Sequence, residues 1–171
     1  ETKYKIMFDR IEAGTYMIAS ALTGGNLKNT NIKPKIIKTE IDILRKVGAS
    51  IKTKDAELRI IGKNKINNIK IITSPYPGFP TDLQAQLMVL LCRAFGRSEI
   101  IEKIFENRFM HASELNRMGA KIKIFGNRAI IEGNVNFKAA ELMATDLRAS
   151  VSLILAALAA KGKSIINRVY H

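Results

Sequence analysis

The chain has 171 residues, 47% apolar and 25% charged, enough for one domain with a real core. Its longest apolar stretches, 87–92 and 153–160, fall short of the about 20 residues that cross a bilayer, and the N-terminus alternates charged and apolar residues instead of carrying a signal peptide's apolar run. The lone Cys92 excludes an internal disulfide and fits a reducing compartment.

The formal net charge of +13 favours anionic partners such as nucleic acid, nucleotides, phosphates or carboxylates. Lysines scattered along strands and turns (Lys33, Lys35, Lys52, Lys54, Lys63, Lys65) also read as an ordinary solvated basic surface. No basic motif is interleaved with aromatics in the single-strand-binding manner. Two separated histidines, His111 and His171, without cysteine partners argue against zinc. Cys92 lies within LMVLLCRAF, where a free thiol behaves as a small buried hydrophobe. The chain starts at Glu1 and stops at VYH, which reads as a piece of something longer.

In chain order, an apolar helix over about 11–22 runs into a glycine stop. A strand at 26–30 and a helix at about 35–47 follow, and the helix ends at Val47-Gly48. Strands 50–54 and 57–61 then form a hairpin. The pattern recurs: helix 82–95, strand 98–104, helix 111–118, and a hairpin of 121–125 with 128–132 turning at Phe125-Gly126-Asn127. A third unit begins with a strand near 138–143, continues through a helix at 147–160 and enters a strand at 163–168. The segments LRKVGASIKTKDAELRIIG (44–62) and LNRMGAKIKIFGNRAIIEG (115–133) align without a gap at a spacing of 71 residues. A fixed internal period indicates duplicated supersecondary units, near 9–62, 70–133 and an incomplete 138–171.

Strands such as KIKI (121–124) alternate, so each sheet keeps one face in water. The helices 82–95 and 147–160 are apolar nearly all round, which demands burial. The expectation is an α/β fold with helices inside and sheets outside.

Three places could carry chemistry. SPYPGFP (74–80) is a proline-rich turn that delivers Thr81-Asp82 to a helix start. There Asp82 is either a cap that complements the helix dipole or a general base able to reach a substrate proton. TDLRA (145–149) repeats the helix start with Asp146 and adds Arg148. A cation in a first turn opposes the dipole, so Arg148 either grips a bound anion or pairs with Glu141 or another acid. In ENRFMHASEL (106–115), Asn107 and Arg108 stand beside Phe105 and Phe109, a mixture suited to a polar ligand with an apolar face. His111 reads as a packed helix residue.

Together these segments carry a resemblance. YPGFPTDLQAQ (76–86), IFENRFMHASELNRMGA (104–120), ATDLRAS (144–150) and DRIEAGTYMIA (9–19) resemble signature segments of UDP-N-acetylglucosamine enolpyruvyl transferases. The words FENRFMH and PGFPTDLQAQ separate them from the related 5-enolpyruvylshikimate-3-phosphate synthases. The resemblance implies an inside-out α/β barrel of repeated βαβαββ units, of which this chain is most of one domain while a second domain is absent. It implies a cytoplasmic enzyme that needs no metal or organic cofactor. That enzyme transfers the enolpyruvyl group of phosphoenolpyruvate to the 3-hydroxyl of UDP-N-acetylglucosamine, with release of phosphate, in the first committed step of peptidoglycan synthesis.

By the same resemblance, Asp82 takes the sugar hydroxyl proton and Asp146 handles protons at the enolpyruvyl carbon. Ile104 contacts the sugar nucleotide largely through backbone, Arg108 lies near it, and Arg148 clamps the phosphoenolpyruvate carboxylate. The family's reactive loop cysteine has no counterpart here, and Cys92 does not match it. Two other classes stand beside this reading: a basic nucleic-acid-binding module, and a sister enolpyruvyl transferase with a different acceptor.

Overall fold

Asp9 starts the first helix, its Oδ1 accepting the N–H groups of Ile11 at 2.7 Å and Glu12 at 3.2 Å, a side-chain N-cap. Gly24 ends that helix in the left-handed conformation, with φ +69°, as glycine readily does. This helix, α1 (Arg10–Thr23), is followed by β1 (Asn26–Thr30), α2 (Lys38–Lys46), β2 (Ser50–Lys54) and β3 (Glu57–Ile61). The order then recurs as β4 (Lys70–Ile72), a 3-10 turn (Thr81–Leu83), α3 (Gln84–Cys92), β5 (Arg97–Ile101), α4 (His111–Arg117), β6 (Lys121–Phe125) and β7 (Arg128–Glu132). Last come β8 (Glu141–Met143), α5 (Leu147–Ala159) and β9 (Ile165–Asn167). The computed structural model describes residues 2–144 and 146–169. Thr145, the first residue of TDLRA, and His171 lie outside the described residues.

The described strands form three sheets, ordered β1-β3-β2, β4-β5-β7-β6 and β8-β9. Within them β4 runs parallel to β5 and β8 parallel to β9, and the other pairs are antiparallel. Helices α1, α3 and α5 pack on one another, and all nine residues of α3 are buried. At the start of β6 the alternation shows in the burial, with Ile122 buried between the exposed Lys121 and Lys123, whereas Ile124, which the KIKI pattern would also turn inward, is exposed. The fold is thus an α/β arrangement with helices inside and sheets outside, as the polarity of the sequence requires. The core passes through Met17, Leu22, Leu58, Ile60, Leu87 and Leu90, each 0–1% exposed; full burial of such a side chain contributes roughly 1.5–3 kcal/mol.

The 71-residue repeat is visible bond by bond. The N–H of Ala49 donates to Leu44 O at 2.9 Å, and that of Ala120 to Leu115 O at 3.1 Å. The N–H of Gly62 reaches Gly25 O at 2.9 Å, and that of Gly133 reaches Gly96 O at 3.0 Å. Gly62 and Gly133 have no room for a side chain: a Cβ would lie 2.3 Å from Ser20 O in the first and 1.9 Å from Ala94 O in the second.

Both hairpins, the strand at 26–30 and the buried Cys92 fall where the sequence puts them. Other boundaries shift. The helix expected over 35–47 covers Lys38–Lys46 after a turn that follows Pro34. The helix expected over 82–95 opens as a 3-10 turn and is α-helical only over Gln84–Cys92. The strand expected over 98–104 leaves the ladder after Ile101, because the Glu102 carboxylate takes up the N–H groups of Ile104 and Phe105. In the third unit the strands shorten to Glu141–Met143 and Ile165–Asn167. The short β4 has no counterpart among the sequence expectations.

Candidate active site

Rigid connections bring three separate segments together beside the start of α3. The backbone of the proline-rich turn is held by Ser74 N–H to Phe79 O at 3.0 Å and Leu83 N–H to Pro80 O at 3.1 Å. It places Asp82 in the middle of the 3-10 turn. Of the two readings that the sequence leaves open for Asp82, the structure corrects the cap. No side chain caps either the 3-10 turn or α3. Thr81 donates its hydroxyl to Glu102 Oε2 at 2.8 Å, and the Asp82 carboxylate points elsewhere.

That carboxylate meets two arginines. Arg108 Nη2 donates to Asp82 Oδ1 at 2.9 Å. Arg148 donates to the same oxygen through Nε at 3.1 Å and Nη2 at 2.8 Å. Every hydrogen bond that the described residues give to this carboxylate lands on Oδ1, which leaves Oδ2 for a donor from outside. The Arg108 side chain is 13% exposed, against 43% for Asp82 and 40% for Arg148. Two partly solvated ion pairs of this kind add little stability, about 0–1 kcal/mol each. Their significance is geometric.

Each arginine is aimed by its own segment. Arg108 follows Asn107, which turns the chain at φ +50°, a left-handed conformation that asparagine tolerates better than most residues. The guanidinium carbon of Arg108 then sits 4.4 Å from the centre of the Phe105 ring, a cation–π contact that fixes its plane. Arg148 stands in the first turn of α5, whose start is capped by Asp146: Asp146 Oδ1 accepts the Arg148 N–H at 2.8 Å, and Asp146 O accepts the Ser150 N–H at 3.0 Å. Asp146 therefore holds the capping role, and Arg148 has an acid partner. That partner is Asp82 rather than Glu141, which accepts from Asn167 at 2.8 Å.

His111 is packed at the start of α4, 2% exposed, with Nε2 lacking a hydrogen-bond partner among the described residues. Burial pushes its pKa down to about 4, and attraction to the Asp146 charge opposes that only in part. Ile104 is half-buried and its N–H is already given to Glu102 Oε1 at 2.8 Å, so a ligand there must use its carbonyl or side chain. Burial raises the Cys92 thiol to about 12, which keeps it protonated and unreactive.

Two residues of this region have no role in the sequence reading. Glu102, 2% exposed, gathers Thr73, Thr81, Ile104 and Phe105 around one carboxylate. Gln86 donates to Thr15 Oγ1 at 3.2 Å, while its Oε1 has no partner among the described residues. It lines a groove of about 660 Å3 that runs from Asp82 and Arg148 between α1 and α5, past Tyr16, Val151 and Leu158. Among the described residues no cluster of His, Cys, Asp and Glu could hold a metal ion, and no helix is long and apolar enough to cross a membrane.

Buried helices inside repeated sheets thus bring one acid and two arginines, from three separate segments, together beside the start of α3. The chain matches the family model for EPSP synthase (3-phosphoshikimate 1-carboxyvinyltransferase) over residues 1–171; it belongs to that family. It is 73% identical over its whole length to the UDP-N-acetylglucosamine 1-carboxyvinyltransferase of Pelagibacter ubique, covering 41% of that protein. It is 50% identical over 99% of its length to the enzyme of the same name from Azorhizobium caulinodans, covering 40% of it. Among solved structures, the enolpyruvyl transferase NikO from Streptomyces tendae superposes with a TM-score of 0.90 at 26% identity, over 98% of this chain and 40% of that one. EPSP synthase from Acinetobacter baumannii shares the fold, with a TM-score of 0.75 at 18% identity over 99% of this chain and 41% of that one. The chain spans about 40% of the length of the curated relatives it matches.

Proposed function

We propose that this chain supplies most of one barrel domain of a UDP-N-acetylglucosamine enolpyruvyl transferase, its repeat units near 9–62, 70–133 and 138–171, with a second domain completing the cleft. The reaction joins the sugar 3-hydroxyl oxygen to C2 of phosphoenolpyruvate while C3 gains a proton; C3 then loses a proton and phosphate leaves. The observation that carries this reading is the convergence of Arg108 and Arg148 on one oxygen of Asp82.

A general base must keep a lone pair available at hydrogen-bond distance from the hydroxyl, and Oδ2 is the oxygen that does so. Arg148, bound to Asp82 without ligand, exchanges part of that pairing for the carboxylate of phosphoenolpyruvate, which suits a planar guanidinium. Asp146, anchored at the start of α5, moves protons at C3. Ile104 and Arg108 border the sugar nucleotide. The acceptor is assigned from 73% identity to a relative of that name, against 18% to an EPSP synthase. In the cell the reading places the protein in the cytoplasm, at the entry to peptidoglycan synthesis, hence in cell-wall growth and division.

Phosphate release from phosphoenolpyruvate by the full-length protein carrying this chain is the test. Release with UDP-N-acetylglucosamine and none with shikimate 3-phosphate is expected, and the reverse preference would make it a sister transferase. The isolated 171-residue chain should release none. Tight, steeply salt-dependent DNA binding without turnover would instead favour the nucleic-acid class.

A further inference from the structure

We propose that Glu102 is a positioning residue that locks the turn bearing Asp82 and the loop bearing Arg108 into one working geometry; the inference rests on the function proposed above. Glu102 follows the last residue of β5 and is 2% exposed. Its Oε1 accepts the Thr73 hydroxyl at 2.7 Å, the Ile104 N–H at 2.8 Å and the Phe105 N–H at 3.3 Å. Its Oε2 accepts the Thr81 hydroxyl at 2.8 Å. The Thr73 hydroxyl oxygen in turn accepts the Lys103 N–H at 2.9 Å. The Glu102 backbone is tied as well, its N–H to Asn127 O at 2.8 Å and its carbonyl to Asn127 Nδ2 at 3.1 Å.

One buried carboxylate therefore joins three segments: the end of β4, the residue before Asp82, and the first half of the loop that carries Arg108. No ion pair reaches it among the described residues. A buried charge held only by neutral donors is a costly way to hold a fold together. The first copy of the repeat gives the comparison. At the 71-residue shift Glu102 corresponds to Asn31, and β1, β2 and β3 pair in full register there without any such carboxylate. The hairpin architecture does not require Glu102. What Glu102 adds is a fixed relation between Thr81-Asp82 and Phe105–Arg108. A general base misplaced by about 1 Å loses about a hundredfold in rate.

The test uses the full-length enzyme with Glu102→Gln and, separately, Thr81→Val. Glutamine keeps the shape but can accept on only one of its two terminal atoms, and valine cuts the link to the Asp82 turn alone. Both variants should lower kcat about ten- to a hundredfold while KM for the sugar nucleotide stays within about threefold. Fold stability should change far less than kcat. A kcat within about twofold of the parent in Glu102→Gln, or a loss that merely tracks the unfolded fraction with Thr81→Val at parent activity, would overturn the proposal. If the unsubstituted enzyme releases no phosphate, the functional reading falls, and amide exchange decides the positioning role by itself. In Glu102→Ala, which removes the acceptor of both N–H groups, the Ile104 and Phe105 amides should then exchange at least about tenfold faster, with the β6–β7 hairpin still protected. Unchanged or uniformly faster exchange would defeat it.

Discussion

The two copies of the repeat share a backbone plan and differ in what they place on it. At the 71-residue shift, Asp82 and Arg108 of the second copy correspond to Ile11 and Ile37 of the first. Ile37 is fully buried, and Ile11 packs against the core. The positions held in common, Gly62 with Gly133 and the bonded pairs Leu44–Ala49 with Leu115–Ala120, are the ones that build the hairpins and their junctions. The lesson is a division of labour. What the copies share makes the fold, and the site is built where the second copy sets Asp82 and Arg108 in the places of Ile11 and Ile37.

The sharpest way to break this comparison is to make the second copy resemble the first. In the full-length enzyme, Asp82→Ile or Asp82→Asn should reduce phosphate release by about 10²–10⁴-fold, the usual scale of a lost general base. Sugar-nucleotide binding by calorimetry should survive in Asp82→Asn. Turnover within tenfold of the parent would leave the carboxylate as no more than an ion-pair partner.

Substitution where the copies agree should damage the fold instead. Gly133→Ala drives a Cβ to 1.9 Å from Ala94 O and should cost roughly 2–4 kcal/mol in urea denaturation. Gly119→Ala meets nothing within 4 Å and is opposed only by φ +95°, so about 1 kcal/mol is expected. Equal costs would show that the close approach at Gly133 is not limiting.

A third contrast sits at Glu40 and His111, again 71 residues apart and each 2% exposed. Burial lowers the His111 pKa from 6.5 to about 4, so the unfolded chain binds its proton more tightly. The stability His111 confers is present above pH 6.5 and lost as pH falls toward 4, by roughly 3 kcal/mol at most. Burial raises the Glu40 pKa from 4.5, against a partial pull from Arg10 at 3.6 Å. Its contribution has the opposite sign: present below pH 4.5 and lost as pH rises through the raised value. Urea midpoints followed from pH 4 to 7 should show a slope that His111→Leu flattens and Glu40→Leu steepens.

The smallest effect concerns the outer faces of the sheets. In the first copy Lys28, Arg59 and Lys52 stand in one cross-strand row; the equivalent row in the second copy is Glu99, Ile130 and Lys123. Glu99 there is braced by Lys70 at 3.3 Å and Arg128 at 2.9 Å. Lys52→Glu should raise stability by about 0.2–1 kcal/mol at low salt, and the gain should fade by 1 M salt as screening shortens to about 3 Å. A gain that persists in salt would rule out charge relief as its cause.

Much of this division was legible from the residues themselves. Alternation and glycine stops put both hairpins in place because local physics decides them. Asp82 is an ordinary helix-start acid and Arg108 an ordinary loop residue, and the flanking words single them out. Arg148 stands out because a cation in a first turn opposes the α5 dipole and calls for a bound anion or an acid partner. That the acid is Asp82, 66 residues away, is a tertiary fact that no local rule contains. Glu102 carried no such oddity: an acid after a strand looks like solvent-facing polarity, and its four donors come from Thr73, Thr81, Ile104 and Phe105 only once the sheet is formed. Its one signal lay in the repeat, where the aligned residue is Asn31. The strand overrun at 98–104 has the same origin, since those N–H groups leave the ladder for this carboxylate.

Cys92 offers a consequence of another kind. It is the single thiol of the chain, fully enclosed in α3 and kept protonated by its surroundings. A maleimide in solution can reach it only when the three packed helices part, so the labelling rate of the unaltered chain is a clock for global opening. Glu102→Gln should leave that clock nearly unchanged, whereas Gly133→Ala should make it run fast.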